Sequence, residues 1–131
     1  MKRPLAEHPL VLLVEDDEDT RDLYIEYFKF VGIRVEGASG GEEAVEKVRA
    51  MKPDIVVLDL NLPGMSGWEV ARELKASAAT RAVPILALTA HAMKGSEQAA
   101  LAAGCDRYCA KPCLPQDLVV IVREMVRRSV A

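Results

Sequence analysis

The chain has 131 residues, half of them hydrophobic, and its 17 basic and 20 acidic residues leave a net charge of −3. This size suits a single domain, residues 1–131, and the acidic balance argues against a nucleic-acid-binding surface, which normally shows a basic excess. No apolar run approaches the roughly 20 residues that a membrane span needs, and no apolar segment before Leu10 predicts a signal peptide, so we expect a cytoplasmic protein.

Short apolar runs alternate with amphipathic segments along the chain. The apolar runs predict five strands, at residues 10–14, 33–36, 55–58, 83–89 and 106–110. The segments after them predict five helices, at residues 19–31, 41–51, 68–75, 95–103 and 115–128. Five successive βα units predict an α/β fold, in which a doubly wound, five-stranded parallel sheet carries helices on both faces.

Residues with strong positional preferences mark the ends of the helices. Asp19 is expected to cap the first helix and Gly32 to end it. Ser39 is expected to cap the second helix. Pro115 is expected to open the last helix, because proline is tolerated in a first helical turn.

Polar residues lie at the ends of four predicted strands. Glu15 and Asp16 follow the first strand and Asp59 follows the third. Thr89 ends the fourth strand, and Lys111 follows the fifth. Ligands of open parallel sheets bind beyond the carboxyl ends of the strands. We therefore expect carboxylates, a hydroxyl and an ammonium group to converge at one edge of the sheet.

This set of side chains suits a magnesium ion and a phosphoryl group. Clustered carboxylates repel one another unless a cation joins them, and Mg²⁺ prefers such oxygen ligands. The main-chain carbonyl of Asn61 would be a further ligand. Phosphoryl transfer needs in-line positioning and positive charge on the equatorial oxygens, which Mg²⁺, Lys111 and Thr89 would supply. Asp59 is the expected carboxylate nucleophile.

Four sequence motifs resemble those of the response regulators of two-component signalling. They are VLLVEDD from Val11, DIVVLDLNLPGMSG from Asp54, LTAHA from Leu88 and YCAKP from Tyr108. They occur in the order and at the spacing of that family, and the similarity extends over residues 10–126. The chain looks like a stand-alone receiver domain of the CheY and DivK kinds. This resemblance implies a flavodoxin-like fold with strand order 2-1-3-4-5 and a core of about residues 10–128.

The resemblance also implies the roles of the acidic residues. Asp59 would accept a phosphoryl group from a histidine of a partner, either a histidine kinase or a histidine phosphotransfer protein. Asp16, Asp59 and the Asn61 carbonyl would bind Mg²⁺ directly, and Glu15 would contribute through water. The domain would catalyse only its own phosphorylation and dephosphorylation, and would not otherwise be an enzyme.

Three further residues would respond to phosphorylation if the resemblance holds. Lys111 would pair first with Asp59 and then with the phosphoryl group, and the Lys111–Pro112 bond is usually cis in this family. Thr89 would turn toward the phosphoryl group, and Tyr108 would turn inward with it. The resemblance thus implies a switch made of Thr89 and Tyr108.

The last predicted helix has an unusually wide apolar surface. Val119, Val120 and Val126 extend it beyond the face that packs on the sheet. We expect a docking or homodimer surface formed with the fourth helix and the fifth strand, and packing inside the monomer is the alternative. The output would therefore be a protein partner.

Three other functions are alternatives to a stand-alone receiver. The chain would be a receiver fragment of a hybrid histidine kinase if it belongs to a longer protein. An aspartyl phosphohydrolase would need a second aspartate where Asn61 stands, since an amide does no proton transfer. A flavin-binding module would need a phosphate-binding loop after the first strand, where the acidic residues Glu15 to Asp17 would repel phosphate.

The three cysteines, Cys105, Cys109 and Cys113, match no standard zinc or CxxC spacing. We expect reduced side chains that fill the core, and a metal or redox role is the alternative.

Overall fold

The computed structural model describes residues 9–90 and 96–130, so the predicted start of the fourth helix at residue 95 and the LTAHA motif from residue 91 onward lie outside them. The strands are Leu10–Val14 (β1), Arg34–Ala38 (β2), Ile55–Asp59 (β3), Ile85–Thr89 (β4) and Arg107–Ala110 (β5). The helices are Glu18–Phe30 (α1), Gly41–Met51 (α2), Gly67–Ala76 (α3), Ser96–Ala102 (α4) and Pro115–Val130 (α5). All strand pairs are parallel, in the order β2-β1-β3-β4-β5, which confirms the predicted fold.

The sheet separates two hydrophobic cores. Phe28 of α1 and Leu118 of α5 are fully buried in one core, and Val48 of α2 and Leu74 of α3 are buried in the other. Strands β3 and β4 are buried along their whole length because both of their faces are covered. This double coverage explains why their sequences are uniformly apolar rather than alternating.

Helix α1 ends in a Schellman motif, which accounts for a shift in β2. Gly32 has the positive φ of 85° that this motif requires, as expected for the residue that ends the helix. The Ile33 amide then donates to the Phe28 carbonyl at 2.9 Å. Ile33 therefore closes the helix, and β2 begins one residue later than predicted.

The N-cap of α1 differs from the prediction. Asp17, and not Asp19, caps the helix, since its carboxylate accepts a hydrogen bond of 2.9 Å from the Thr20 amide. The helix begins at Glu18, so only the residue just before it reaches the free amides of the first turn. Side-chain and main-chain hydrogen bonds from Thr20 lower the pKa of Asp17.

The N-cap of α2 also differs from the prediction. Gly40 holds this position without a side-chain hydrogen bond, because Ser39 lies one residue too early. The Ser39 amide and hydroxyl instead donate to Glu43 Oε1, at 2.8 and 3.1 Å. Glu43, in the first turn, thus stabilises the start of the helix by accepting both hydrogen bonds.

The apolar surface of α5 is partly internal. Val119 and Val126 are buried in the core beside α1, whereas Val120 is 57% exposed. Of the three valines that widen the apolar surface of α5, Val120 therefore remains as a candidate docking residue.

No helix among the described residues is both long and apolar enough to span a membrane.

Candidate functional site

The parallel register brings the polar strand ends to one edge of the sheet. The last residue of β1 pairs with Leu58, so Glu15 and Asp59 leave neighbouring strands side by side. Beyond the end of β5, the Lys111 amide donates to the Thr89 carbonyl at 2.7 Å. The predicted convergence of polar groups is present because the sheet has this strand order.

Three carboxylates form a cluster at this edge. One oxygen from each of Glu15, Asp16 and Asp59 lies within 4.8 Å of the others. Glu15 and Asp59 are buried, at 2% and 3% exposure, whereas Asp16 is exposed. Buried oxygen donors with one side open to water suit Mg²⁺, which retains several waters and takes one or two protein carboxylates. The donor set therefore fits that ion.

Lys111 is the directly bonded counter-charge of this cluster. Its Nζ donates to Glu15 Oε1 at 2.7 Å and to Asp59 Oδ2 at 3.1 Å. Burial raises the pKa of Glu15, and the hydrogen bond from Lys111 opposes that rise without cancelling it. Burial alone would lower the pKa of Lys111, but its contacts with Glu15 and Asp59 outweigh this effect and raise it. The lysine is therefore a stable cation beside two buried acids.

The loop after β3 links Asp59 to Thr89 of the fourth strand. The Asn61 amide donates to Asp59 Oδ1 at 2.9 Å. Its side-chain Nδ2 donates to the buried Thr89 hydroxyl at 3.5 Å, a long hydrogen bond. One Asp59 oxygen therefore accepts from the Asn61 amide and the other from Lys111. The Asn61 side chain connects this residue to Thr89.

Tyr108 lies outside this polar cluster. It is half-buried on β5, pairs with Ala87 of β4, and packs against the core beside α2, α3 and α4. The structure therefore places Glu15, Asp16, Asp59, Asn61, Thr89 and Lys111 together and Tyr108 apart. The Lys111–Pro112 peptide bond is cis, as the family resemblance implied.

Two residues that sequence reasoning missed hold the site in shape. A Cβ on Gly67 would lie 2.5 Å from the Asp59 carbonyl oxygen, so α3 packs directly against the end of β3. Arg21 donates from Nη1 to the Glu15 carbonyl at 2.9 Å. The Ser66-x-x-Glu69 pattern, which forms a capping box, signals the start of α3, but neither contact follows from local sequence.

Comparison with known proteins agrees with this geometry. Residues 11–123 match the response regulator receiver domain family. The polar-differentiation response regulator DivK of Brucella anthropi is 36% identical over 102 residues, which cover 78% of this chain and 83% of that protein. The response regulator MprA of Mycolicibacterium vanbaalenii is 36% identical over 119 residues, which cover 91% of this chain and 51% of that longer protein.

A solved structure gives the same result. The receiver domain of the sensor histidine kinase PA1611 from Pseudomonas aeruginosa PAO1 superposes with a TM-score of 0.84 at 32% identity, covering 92% of this chain and 98% of that one. That structure holds a magnesium ion coordinated in its active site cleft. The family match covers most of the chain and the strand order agrees with it, so the chain belongs to the response regulator receiver domains of two-component signalling.

Proposed function

We propose that this receiver domain takes up a phosphoryl group on Asp59 in a Mg²⁺-dependent reaction. The observation that carries the proposal is the buried Asp59 carboxylate, which lies 3.1 Å from the Lys111 ammonium and inside a cluster of acids. A carboxylate held in this way is an oriented nucleophile with a cation beside it. Asp59 lies at the carboxyl end of β3, the central strand of the sheet.

Glu15, Asp16 and Asp59, together with the Asn61 carbonyl, would hold the metal ion. When bound, Mg²⁺ neutralises the charge on the transferring phosphoryl group. The ion would also relieve the repulsion among the three acids, of which Glu15 and Asp59 share Lys111. The magnesium-bound receiver of PA1611 supports this assignment by similarity.

The donor would be a phosphohistidine of a histidine kinase or a histidine phosphotransfer protein. An Asp59 oxygen forms a bond to phosphorus as the bond from phosphorus to the histidine nitrogen breaks, which yields an aspartyl phosphate. The Lys111 ammonium, already hydrogen-bonded to Asp59, then follows the charge onto a phosphoryl oxygen. Apart from this reaction and its reversal by hydrolysis, the domain carries out no catalysis on other molecules.

Thr89 and Tyr108 would turn this local change into a signal. Asn61 is hydrogen-bonded both to Asp59, through its amide, and to the Thr89 hydroxyl, through its side chain. A phosphoryl group on Asp59 would therefore offer the Thr89 hydroxyl a new hydrogen-bond partner. Tyr108 lies on the neighbouring strand and would follow Thr89 inward, which biases a two-state equilibrium. The switch would be read by a protein partner on the face formed by α4, β5 and α5, where Leu101 and Val120 are exposed. The same face would serve a homodimer.

We further infer a cytoplasmic single receiver domain over residues 1–131. The alternative is a receiver that forms part of a hybrid kinase. The 32% identity to the receiver of the sensor histidine kinase PA1611 supports this second candidate.

Intact-mass spectrometry tests the proposal. Incubation with acetyl phosphate and Mg²⁺ should add one phosphoryl group, a gain of about 80 Da, and omission of Mg²⁺ should abolish it. Asp59→Asn should not be labelled. Asp17→Asn is the matched control, since asparagine also caps helices and the site is left intact. Persistent labelling of Asp59→Asn would contradict the assignment.

A further inference from the structure

Two cysteines bracket the site lysine. Cys109 lies on β5 and Cys113 follows four residues later, with Lys111 between them. Each thiol donates a long hydrogen bond to the carbonyl of the next residue, Cys109 to Ala110 at 3.8 Å and Cys113 to Leu114 at 3.9 Å. Both side chains pack in the core beside α1 and α5, where they interact with each other. Cys109 is half-buried, and Cys113 lines a groove of about 500 Å³ together with Tyr24 and Lys111. The pair is therefore close together, and Cys113 opens onto this groove.

We propose that Cys109 and Cys113 are a redox-sensitive dithiol that hydrogen peroxide converts into a reversible disulfide. Transient disulfides of proteins in reducing compartments are usually catalytic or redox-sensing. A thiol pair in contact meets the requirement that an oxidised cysteine has a resolving partner nearby. A redox role is the alternative that the cysteine spacing does not exclude.

The chemistry runs from the more exposed thiol to the more buried one. Cys109 is half-buried and Cys113 is buried, so peroxide reaches Cys109 first and its sulfur attacks. Burial, followed by the contact with Cys109, raises the pKa of the Cys113 thiol to about 12, so Cys113 stays protonated at this stage. The O–O bond breaks, one water leaves, and Cys109 becomes a sulfenic acid. The Cys113 thiol then attacks that sulfur and the S–O bond breaks. The released hydroxide takes the thiol proton as a second water, so two thiols are oxidised and one peroxide is reduced.

Cys105 is an internal reference for this pair. It is buried at 4% exposure in the core beside α2, α3 and α4, on the other side of the sheet. Burial raises the pKa of its thiol to about 11. Separated from Cys109 and Cys113 by the sheet, it should stay reduced under the same treatment.

The disulfide should act on Lys111, an effect that rests on the proposed function. An S–S bond of about 2.05 Å is much shorter than a contact between two thiols, so the bond draws together the chain on both sides of Lys111. That chain is tied to α1 by the Tyr24 hydroxyl, which donates to the Cys113 carbonyl at 2.7 Å, and to β4 by the Lys111 amide. The Lys111 ammonium would shift relative to Asp59. Because small displacements of a positioned group are costly, we expect phosphoryl uptake to slow about tenfold or more.

Peptide mapping tests the disulfide itself. The full chain is treated with hydrogen peroxide, denatured, alkylated and digested with trypsin. Trypsin does not cut at Lys111 because proline follows it, so Cys109 and Cys113 share the peptide 108–123, whereas Cys105 lies in the peptide ending at Arg107. We expect the first peptide to lose about 2 Da and escape alkylation, and the second to be alkylated. Two alkylated thiols in the first peptide, or a bond to Cys105, would overturn the proposal.

Variants and a rate measurement complete the test. Cys109→Ser and Cys113→Ser should abolish the mass loss and make phosphoryl uptake insensitive to peroxide, whereas Cys105→Ser should behave as the wild type. If a serine variant does not fold, as judged by circular dichroism, Cys109→Ala replaces it. Dithiothreitol should restore the wild-type rate. A disulfide that leaves the rate unchanged would overturn the coupling to Lys111, whereas a reduced protein that takes up no phosphoryl group would contradict the proposed function alone.

Discussion

The two ends of the sheet satisfy their acidic residues in different ways. At the amino end of the strands, Asp54 accepts a hydrogen bond from the Leu10 amide at 2.7 Å. Asp106 likewise accepts from the Ile85 amide at 2.7 Å and from Lys75 Nζ at 3.1 Å. Each of these acids therefore has a main-chain partner. At the carboxyl end, Asp59 and Glu15 also accept from main-chain amides, at 2.9 and 3.2 Å, but they cluster with a third carboxylate. Lys111 is bonded to these two acids and not to Asp16.

The difference separates acids that stabilise the fold from acids that serve a site. A carboxylate that stands apart from other acids and accepts from a main-chain amide is satisfied without a ligand. A cluster with too few cations is destabilising by itself and is relieved by a metal or by a change in charge. The carboxyl end should therefore respond strongly to cations and mutations, and the amino end weakly.

The largest expected effect is that of Lys111→Ala. Without Mg²⁺, the variant leaves two buried acids without a bonded cation and should lose about 2–4 kcal/mol of stability in urea unfolding. Mg²⁺ should restore part of this loss, since the metal ligands remain. When phosphorylated, the variant should fail to propagate the switch, and normal partner binding would contradict that expectation. Lys75→Ala at the amino end is the control and should cost less than about 1 kcal/mol, because its carboxylate partner is exposed and keeps an amide.

Metal affinity should distinguish the two ends as well. Asp16→Asn removes the exposed carboxylate of the proposed metal site, so its Mg²⁺ affinity should fall about tenfold or more. Titration calorimetry measures this fall. Asp106→Asn should bind Mg²⁺ as the wild type does, and an equal loss in both variants would show that the cluster is not the metal site.

The close packing behind the acceptor gives a smaller effect. Gly67→Ala would place a methyl group 2.5 Å from the Asp59 carbonyl oxygen and 2.6 Å from the Leu60 Cα. Relief of this clash should cost about 1–3 kcal/mol in thermal or urea unfolding and should slow phosphoryl uptake. Gly40→Ala is the matched control, because nothing lies within 4 Å of its added methyl and its backbone is extended. Equal stability of the two variants would contradict the packing.

Glu15→Gln should have the smallest effect, in the opposite direction. The pKa of folded Glu15 is raised above its ordinary value of 4.5, mainly by burial, so its charged form is destabilising at neutral pH. Without Mg²⁺, the variant should melt a few degrees higher than the wild type at pH 7. This advantage should shrink as the pH falls through the raised pKa toward 4.5, because the wild type then protonates Glu15. An advantage that does not depend on pH would contradict burial as the cause.

The fold and the site differ in how far sequence predicts them. Apolar runs separated by amphipathic segments predict the strands. The polar residues at the strand ends, such as Asp59 and Lys111, are found because ligands of parallel sheets bind at the carboxyl ends of the strands. Boundaries shift where a local hydrogen bond competes, as when Ile33 closes α1 before β2 begins. The choice of Asp17 over Asp19 as the cap depends on a helix start that the pattern defines only to within a residue or two.

Contacts between distant segments were beyond reach of the sequence. The Tyr24 hydroxyl meets the Cys113 carbonyl 89 positions later, and nothing in the spacing of α1 indicates it. The burial of Val119 beside the exposed Val120 likewise depends on how α5 rotates against the sheet. These features come from packing, which a period of 3.6 residues describes only to within a wide stripe.

The central claim is that Asp59 is the phosphorylated residue, and borohydride trapping tests it most directly. Borohydride reduces an aspartyl phosphate to homoserine, so the protein is phosphorylated with acetyl phosphate and Mg²⁺, reduced, digested and sequenced by tandem mass spectrometry. We expect homoserine at position 59 and intact aspartate at positions 16 and 54. Homoserine at Asp16 or Asp54 with an unchanged Asp59 would contradict it.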